Sequence, residues 1–475
     1  MAIVPSADSY ERMRVNRAFA EKLADRGDVV YGLSTGVGVR KKTAVDRKHM
    51  VQFQERMVLE HATGQGKAMD PVVVRASAVC LLNSICAGRT NIRPAIARRL
   101  SERLCDAESR PLRPVPKYGT TGMGDVTPLA HLSRDLVYLA TDATHPEMDL
   151  AAGEALPLIA QSSVATAQAA IALHEAIALL KQMNVLAALD VEAYAANPAP
   201  YCVRAEALRP YAGHKLALGT LQACLKGGEL YSTPNEKQRH LQSPLTFRTV
   251  AGVLGAAYDA LAFCEQQVGI ELNAHQQNPM SLMEDDKMIT SGHFDMQAIA
   301  QAMDFARLAL APCLTTQVER SVKMLQARDT GLPDGLAHPD DHGAMGHGLS
   351  EILWPLQAMG TEARLLAVQM VSAEVGSGGM AEGVEDRLTM AGLAAERLRK
   401  FVDLAHRCLA ISTTISCQAI DLRGCRLSDG LARVHGRVRE HVAVMGAGDP
   451  PPASLETLVD ALVGGKLLCV REGKC

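Results

Sequence analysis

Apolar residues in the second half of the chain recur at helical rather than strand spacing. Ile299, Met303, Ala306 and Leu310 stand four, three and four positions apart, the interval that lines one face of an α-helix. Leu404, Cys408, Ile411 and Ile415 repeat the pattern. Between these stripes lie a Gly/Pro/Asp-rich stretch at 329–348 and a second break from Gly376 to Gly383, where successive glycines cannot sustain a helix. Long helices joined by irregular loops are therefore predicted for residues 151–448. Residues 1–150 read differently, with short segments, the prolines Pro111, Pro114 and Pro116, and Gly-rich turns, so a smaller, loop-rich head is expected there. Residues 449–475 begin with the stiff run Asp449-Pro-Pro-Pro452. Ser454 can then cap a short helix striped by Leu455, Leu458 and Leu462.

Composition narrows the class. A hydrophobic fraction of 48% with only 4% aromatics suits Ala- and Leu-packed helices better than a β-sandwich, so the chain is expected to be all-α, mainly helical. A formal net charge of −3 leaves no positive excess for phosphates and argues against nucleic acid as a partner. No run of eighteen apolar residues is free of charge, and Met1 to Asp8 lacks a basic segment followed by an apolar one. A cytoplasmic protein with no membrane partner is expected. The 12 cysteines are scattered singly and are expected to be reduced; Cys469 and Cys475 receive no role.

Three segments depart from what propensity explains. Tyr31-Gly-Leu-Ser-Thr-Gly-Val-Gly38 is a Gly-rich turn without the Gly-Lys-Ser/Thr ending of a phosphate loop. Glu60-His61-Ala-Thr-Gly64-Gln-Gly66 sets a carboxylate and an imidazole before a second glycine turn, and Pro116-Lys-Tyr-Gly119-Thr-Thr-Gly122-Met123-Gly124-Asp125-Val-Thr-Pro128-Leu-Ala-His131 is a third. A further cluster, His338-Pro-Asp340-Asp341-His342 with His347, mixes imidazole and carboxylate but lies in a loop with no register to fix ligand geometry. It is read as a solvated loop, and no metal is expected. His131 and His174 fall in apolar settings and read as packing residues.

Taken together, in order, these segments resemble the aromatic amino-acid ammonia-lyases, the superfamily of histidine, phenylalanine and tyrosine lyases and aminomutases. Gln242-Ser-Pro-Leu-Thr-Phe-Arg248, Glu271-Leu-Asn273, Gln277-Asn-Pro279, Val384-Glu385-Asp386 and Gln418-Ala-Ile-Asp-Leu-Arg423 extend the resemblance to residue 424 or so. It implies an elongated central helical bundle with a smaller head, and a homotetramer whose active sites are shared between subunits. It also implies Tyr31, His61 and Glu385 as catalytic residues, and Arg248, Gln242 and Glu60 as groups that bind a small-molecule substrate.

The departures carry as much information. The family makes a methylidene-imidazolone electrophile from an internal Ala-Ser-Gly, in which serine loses water and the glycine nitrogen closes a ring. Here Gly122, Met123 and Gly124 stand in that place, one residue short and without serine. The shifted triad Thr120-Thr121-Gly122 would leave a methyl group on the carbon to be attacked. Ala160 replaces the asparagine that contacts the ring, Leu245 replaces the second tyrosine, and Gly292-His293-Phe294-Asp295 stands for the Gly-Asn-Phe-His piece. No prosthetic group and no other cofactor are expected. The surviving Tyr31, His61, Arg248 and Glu385 suit proton transfer and carboxylate anchoring. A phenol becomes a base only when amide donors or positive charge support its anion, and a Gly-rich loop exposes such amides. The leading expectation is a cofactor-free elimination, isomerisation or conjugate-addition cyclisation on a small carboxylate- or carbonyl-bearing substrate. A genuine histidine-like ammonia-lyase and a non-catalytic ligand- or partner-binding protein are the alternatives.

Overall fold

A computed structural model of the chain describes residues 3–106, 111–138, 150–201, 207–234, 237–341, 346–373 and 379–467. The chain divides into two compact units: one holds Met1–Ala172, Glu265–Met303 and Met370–Glu396, the other Leu173–Cys264, Asp304–Gln369 and Arg397–Cys475. The fold is mainly helical, as the apolar spacing requires. Four long helices, Ser163–Tyr194, Val250–Glu271, Gln297–Met324 and Ala391–Arg423, contribute residues to both units.

The first unit is built from shorter helices whose ends the sequence marks. Ser6 accepts the Ser9 N–H to open Ala7–Arg26, and Gly27, left-handed at φ +83°, closes it. Asp70 caps Pro71–Cys86 with proline in the first turn, and Met50–His61, Pro94–Cys105 and Val126–Tyr138 follow the same scale. Met57, Val58, Leu81, Ile85, Leu100, Leu129, Leu158 and Ile159 form its core. Two short antiparallel pairs complete it: Gln65–Ala68 with Pro116–Tyr118, where Gln65 faces Tyr118, and the hairpin Met280–Leu282 with Lys287–Ile289.

In the second unit the apolar stripes are buried as their periodicity requires, with Ala306, Leu310, Cys408 and Ile415 fully enclosed. Asp190 lies among them, taking hydrogen bonds from Arg320 Nε (2.7 Å), Gln317 Nε2 (2.9 Å) and Ser416 Oγ (2.7 Å). A buried ion pair with both carboxylate oxygens hydrogen-bonded fixes helix register more than it adds stability. Leu458 and Leu462 of Glu456–Val463 are buried, and Ser454 Oγ accepts the Glu456 N–H. The stretch Ala155–Tyr194 is apolar and long enough to cross a membrane by length and composition. It contains Glu175, Lys181, Asp190 and Glu192, and Leu179, Leu180, Leu186 and Leu189 are fully or almost fully buried within the protein. Among the described residues no disulfide joins two cysteines; Cys202, Cys469 and Cys475 lie outside those residues.

Candidate functional site

The Tyr31 loop closes on itself. Leu33 and Ser34 donate backbone N–H to the Val30 carbonyl, and Ser34 Oγ accepts from Val30 N at 2.8 Å while donating to Asp28 O. Gly32 is left-handed at φ +72°, and a Cβ there would stand 2.5 Å from Leu156 Cδ2, so the turn requires glycine. The result aims the Gly38 N–H at the phenol: Gly38 N donates to Tyr31 Oη at 3.1 Å. Tyr31 is half-buried, its ring packed against the core of the first unit.

His61 ends the helix Met50–His61, with Nδ1 2.7 Å from the Met57 carbonyl. A carbonyl only accepts, so Nδ1 carries the hydrogen and the lone pair of the neutral ring sits on Nε2. Glu60, one position earlier, is exposed. Strand pairing then brings the turn after His61 beside the segment leading to Gly122, and Gly64 N donates to His131 Nε2 at 3.1 Å. His131 is thus a loop clamp, and burial together with Arg134 lowers its pKa.

The segment Gly122-Met123-Gly124 is held from three directions. Thr389 N and Met390 N donate to the Thr121 carbonyl at 3.0 and 2.8 Å, and Thr389 Oγ1 donates to the Gly122 carbonyl at 2.6 Å. Gly122 N in turn donates to Thr120 Oγ1, whose hydroxyl donates to Asp125 Oδ1 at 2.6 Å. Asp125 is fully buried and its other oxygen takes the N–H groups of Val164 and Ala165 at 2.7 and 2.8 Å, in the first turn of Ser163–Tyr194. Burial pushes its carboxyl up to about 6 against the opposing pull of these donors. Met123 forms a β-bridge with Asp295, and Asp295 is ion-paired to Arg387. Arg387 also donates to Gln297 Oε1 at 2.9 Å. Glu385, two positions before Arg387, is exposed in this same unit, and the turn Met380–Gly383 packs against Gly38–Arg40 of the tyrosine loop.

Gln242 and Arg248 belong to the second unit. Gln242 is exposed, and Arg248 closes the short helix Leu245–Arg248, whose Leu245 is 63% exposed. Among the described residues the Arg248 guanidinium has no hydrogen-bond or ion-pair partner, and its Nε is buried. An unpaired, partly buried guanidinium is poised for an anionic oxygen.

The aromatic amino acid lyase family model matches residues 1–440. The chain belongs to the aromatic amino acid lyase family. Similar relatives include a histidine ammonia-lyase of Symbiobacterium thermophilum, 28% identical over 97% of this chain and 92% of its own length, and one of Deinococcus radiodurans, 28% identical over 98% and 90%. Among solved structures the fold is similar to an ergothionase from Treponema denticola, with TM-score 0.89, 23% identity and coverage of 98% and 95%. It is also similar to a histidine ammonia-lyase from Trypanosoma cruzi, with TM-score 0.85, 20% identity and coverage of 98% and 89%.

Within this member of the aromatic amino acid lyase family, the first unit gathers the Tyr31 loop, Glu60, His61, Gly122 to Gly124 and Glu385. The Asp295–Arg387 pair was missed by sequence reasoning; its signal, an arginine directly after Glu385-Asp386, is visible only beside an acidic partner 92 residues away. Among the described residues no group of three His, Cys, Asp or Glu side chains is placed to hold a metal ion, and His342 lies outside those residues.

Proposed function

We propose that this chain is a cytoplasmic, homotetrameric lyase-like enzyme that works without the methylidene-imidazolone ring. Its reaction is a cofactor-free elimination, isomerisation or conjugate-addition cyclisation on a small carboxylate- or carbonyl-bearing substrate. The observation that carries this reading is a tyrosine oxygen still supplied with an amide donor, Gly38 N–H, in the same unit as a segment that contains no serine. The residues present do not fit the ring chemistry. Met123 has no hydroxyl to lose, a dehydrated Thr121 of the shifted triad would carry a methyl group on the carbon to be attacked, and the Gly122 N–H that would close that ring is committed to Thr120.

With no strong electrophile, the substrate must bring its own acidity. Tyr31 as phenolate removes a proton from a carbon next to a carbonyl or carboxyl group, and the Gly38 N–H stabilises the anionic oxygen. The electron pair moves onto the substrate oxygen. Collapse then either expels a leaving group or returns the proton from Tyr31 to another carbon. In the conjugate-addition case an internal nucleophile adds to the acceptor and the proton it loses ends on the carbon next to the carbonyl. His61, with Nε2 free to accept, orients the substrate or relays the proton.

The competing reading, a histidine-like ammonia-lyase, draws on the relatives of that name. Intact-mass measurement separates the two: the purified protein is expected to have the mass of its unmodified sequence, whereas a deficit of two waters means that a ring has formed. A homotetramer is supported by exposed apolar residues along the second unit's helices, among them Phe263 and Phe305, which meet edge to face at 6.0 Å, and Trp354. Sedimentation is expected to show a tetramer, and an active stable monomer would remove that assignment.

A further inference from the structure

A second carboxyl group of the first unit is linked by hydrogen bonds to the Met123 segment. Glu271 ends the helix Val250–Glu271 and is half-buried, and its Oε1 accepts a hydrogen bond from Gln276 Nε2 at 2.5 Å. Gln276 is itself buried and has its orientation fixed, because its Oε1 accepts the Ser162 N–H at 3.0 Å and its Nε2 reaches Thr166 Oγ1 at 3.1 Å. Ser162 ties this arrangement to the loop beyond, donating through Oγ to the Phe294 carbonyl at 2.7 Å. The next residue, Asp295, bridges Met123. The chain Glu271, Gln276, Ser162, Phe294 and Asp295 therefore leads from a carboxyl group to the place where the family's ring would stand.

We infer that Glu271 is a further proton-exchanging group of this site, oriented by Gln276 and linked through Ser162 to the Met123 segment. The inference rests on the reading of that site as one for a small carboxylate-bearing molecule. Three neighbours set the behaviour of the carboxyl group. Burial raises its pKa, Gln276 lowers it, Asp295 raises it and His293 lowers it, the net direction being upward. Asp295 is ion-paired to Arg387 and His293 is exposed, so an arriving carboxylate adds negative charge and removes water around Glu271. Ligand binding should then draw a proton onto Glu271, by linkage.

Isothermal titration of the full-length protein with trans-cinnamate, trans-4-hydroxycinnamate and trans-urocanate, each in buffers of different ionisation heat between pH 5 and pH 8, reads that proton directly. Net proton uptake is expected with the unaltered protein, lost in Glu271→Gln and recovered in Glu271→Asp, with circular dichroism melts confirming that both variants fold. Uptake that persists unchanged in Glu271→Gln overturns the inference and leaves the site reading intact. Failure of all three probes to bind the unaltered protein removes the carboxylate site, and this inference with it.

Discussion

Tyr31→Phe is expected to lower turnover by about 10²- to 10⁴-fold, the contribution of general acid–base catalysis, while substrate affinity changes little. The substitution removes one oxygen and leaves the ring, which packs against the core of the first unit, in place. It also leaves Gly38 N–H without its acceptor, a loss of one part-buried hydrogen bond that is small beside the predicted kinetic effect. Steady-state kinetics decide the matter: a correctly assembled Tyr31→Phe protein with normal turnover means that the tyrosine only braces its loop.

The largest effect on stability is expected at Asp125. Asp125→Ala strands the buried N–H groups of Val164 and Ala165 and takes the acceptor from the part-buried Thr120 hydroxyl. At the usual cost per stranded group, a loss of roughly 3 kcal/mol or more follows, read as a fall in the thermal or denaturant midpoint. Asp125→Asn keeps an acceptor for the helix amides and should lose much less. It also isolates a pH effect. Because burial raises the folded-state pKa to about 6, the folded protein keeps this proton where the unfolded chain has already released it. Stability therefore falls as the pH rises from about 4 to about 6, and Asp125→Asn should flatten that part of the curve. An Asp125→Ala protein as stable as the unaltered one would show that the carboxylate does not cap the helix.

Local signals were read well wherever one segment carries its own instructions. The stripes from Ile299 to Leu310 and from Leu404 to Ile415 place residues on one buried face, and Leu458 and Leu462 mark the last helix, although its N-cap is Leu455 and not the expected Ser454. The glycines of the Tyr31 loop announce a turn, although the partner of the phenol, seven residues on, depends on how that turn folds. The helices of the first unit were harder to read, because their apolar faces are short and are completed by neighbours distant in sequence, as where Leu156 meets Gly32. The site followed the same rule. His61 next to its glycine turn is conspicuous, but Glu271 acquires its setting from Ser162 through Gln276, 114 residues from that serine, and no spacing encodes such a contact. Glu60 and Gln242 stand out only by their type and their place in a motif, and both are exposed.

The bonds from Thr389 and Met390 to the Met123 segment measure how far this protein stands, as an engineering problem, from a ring-forming one. Met123→Ser alone would write Gly-Ser-Gly into the chain, a single change in composition. Adding the alanine is another matter. Gly122 sits at φ +77°, and a Cβ there would land 2.2 Å from Thr389 Oγ1 and 2.9 Å from the Ala391 backbone nitrogen. Gly122→Ala would therefore have to be accompanied by a smaller residue at 389 and by a shift of the backbone at 390 and 391. A design campaign that edits only residues 120–124 works against its own scaffold, and libraries should randomise residues 388–391 together with the segment they clamp.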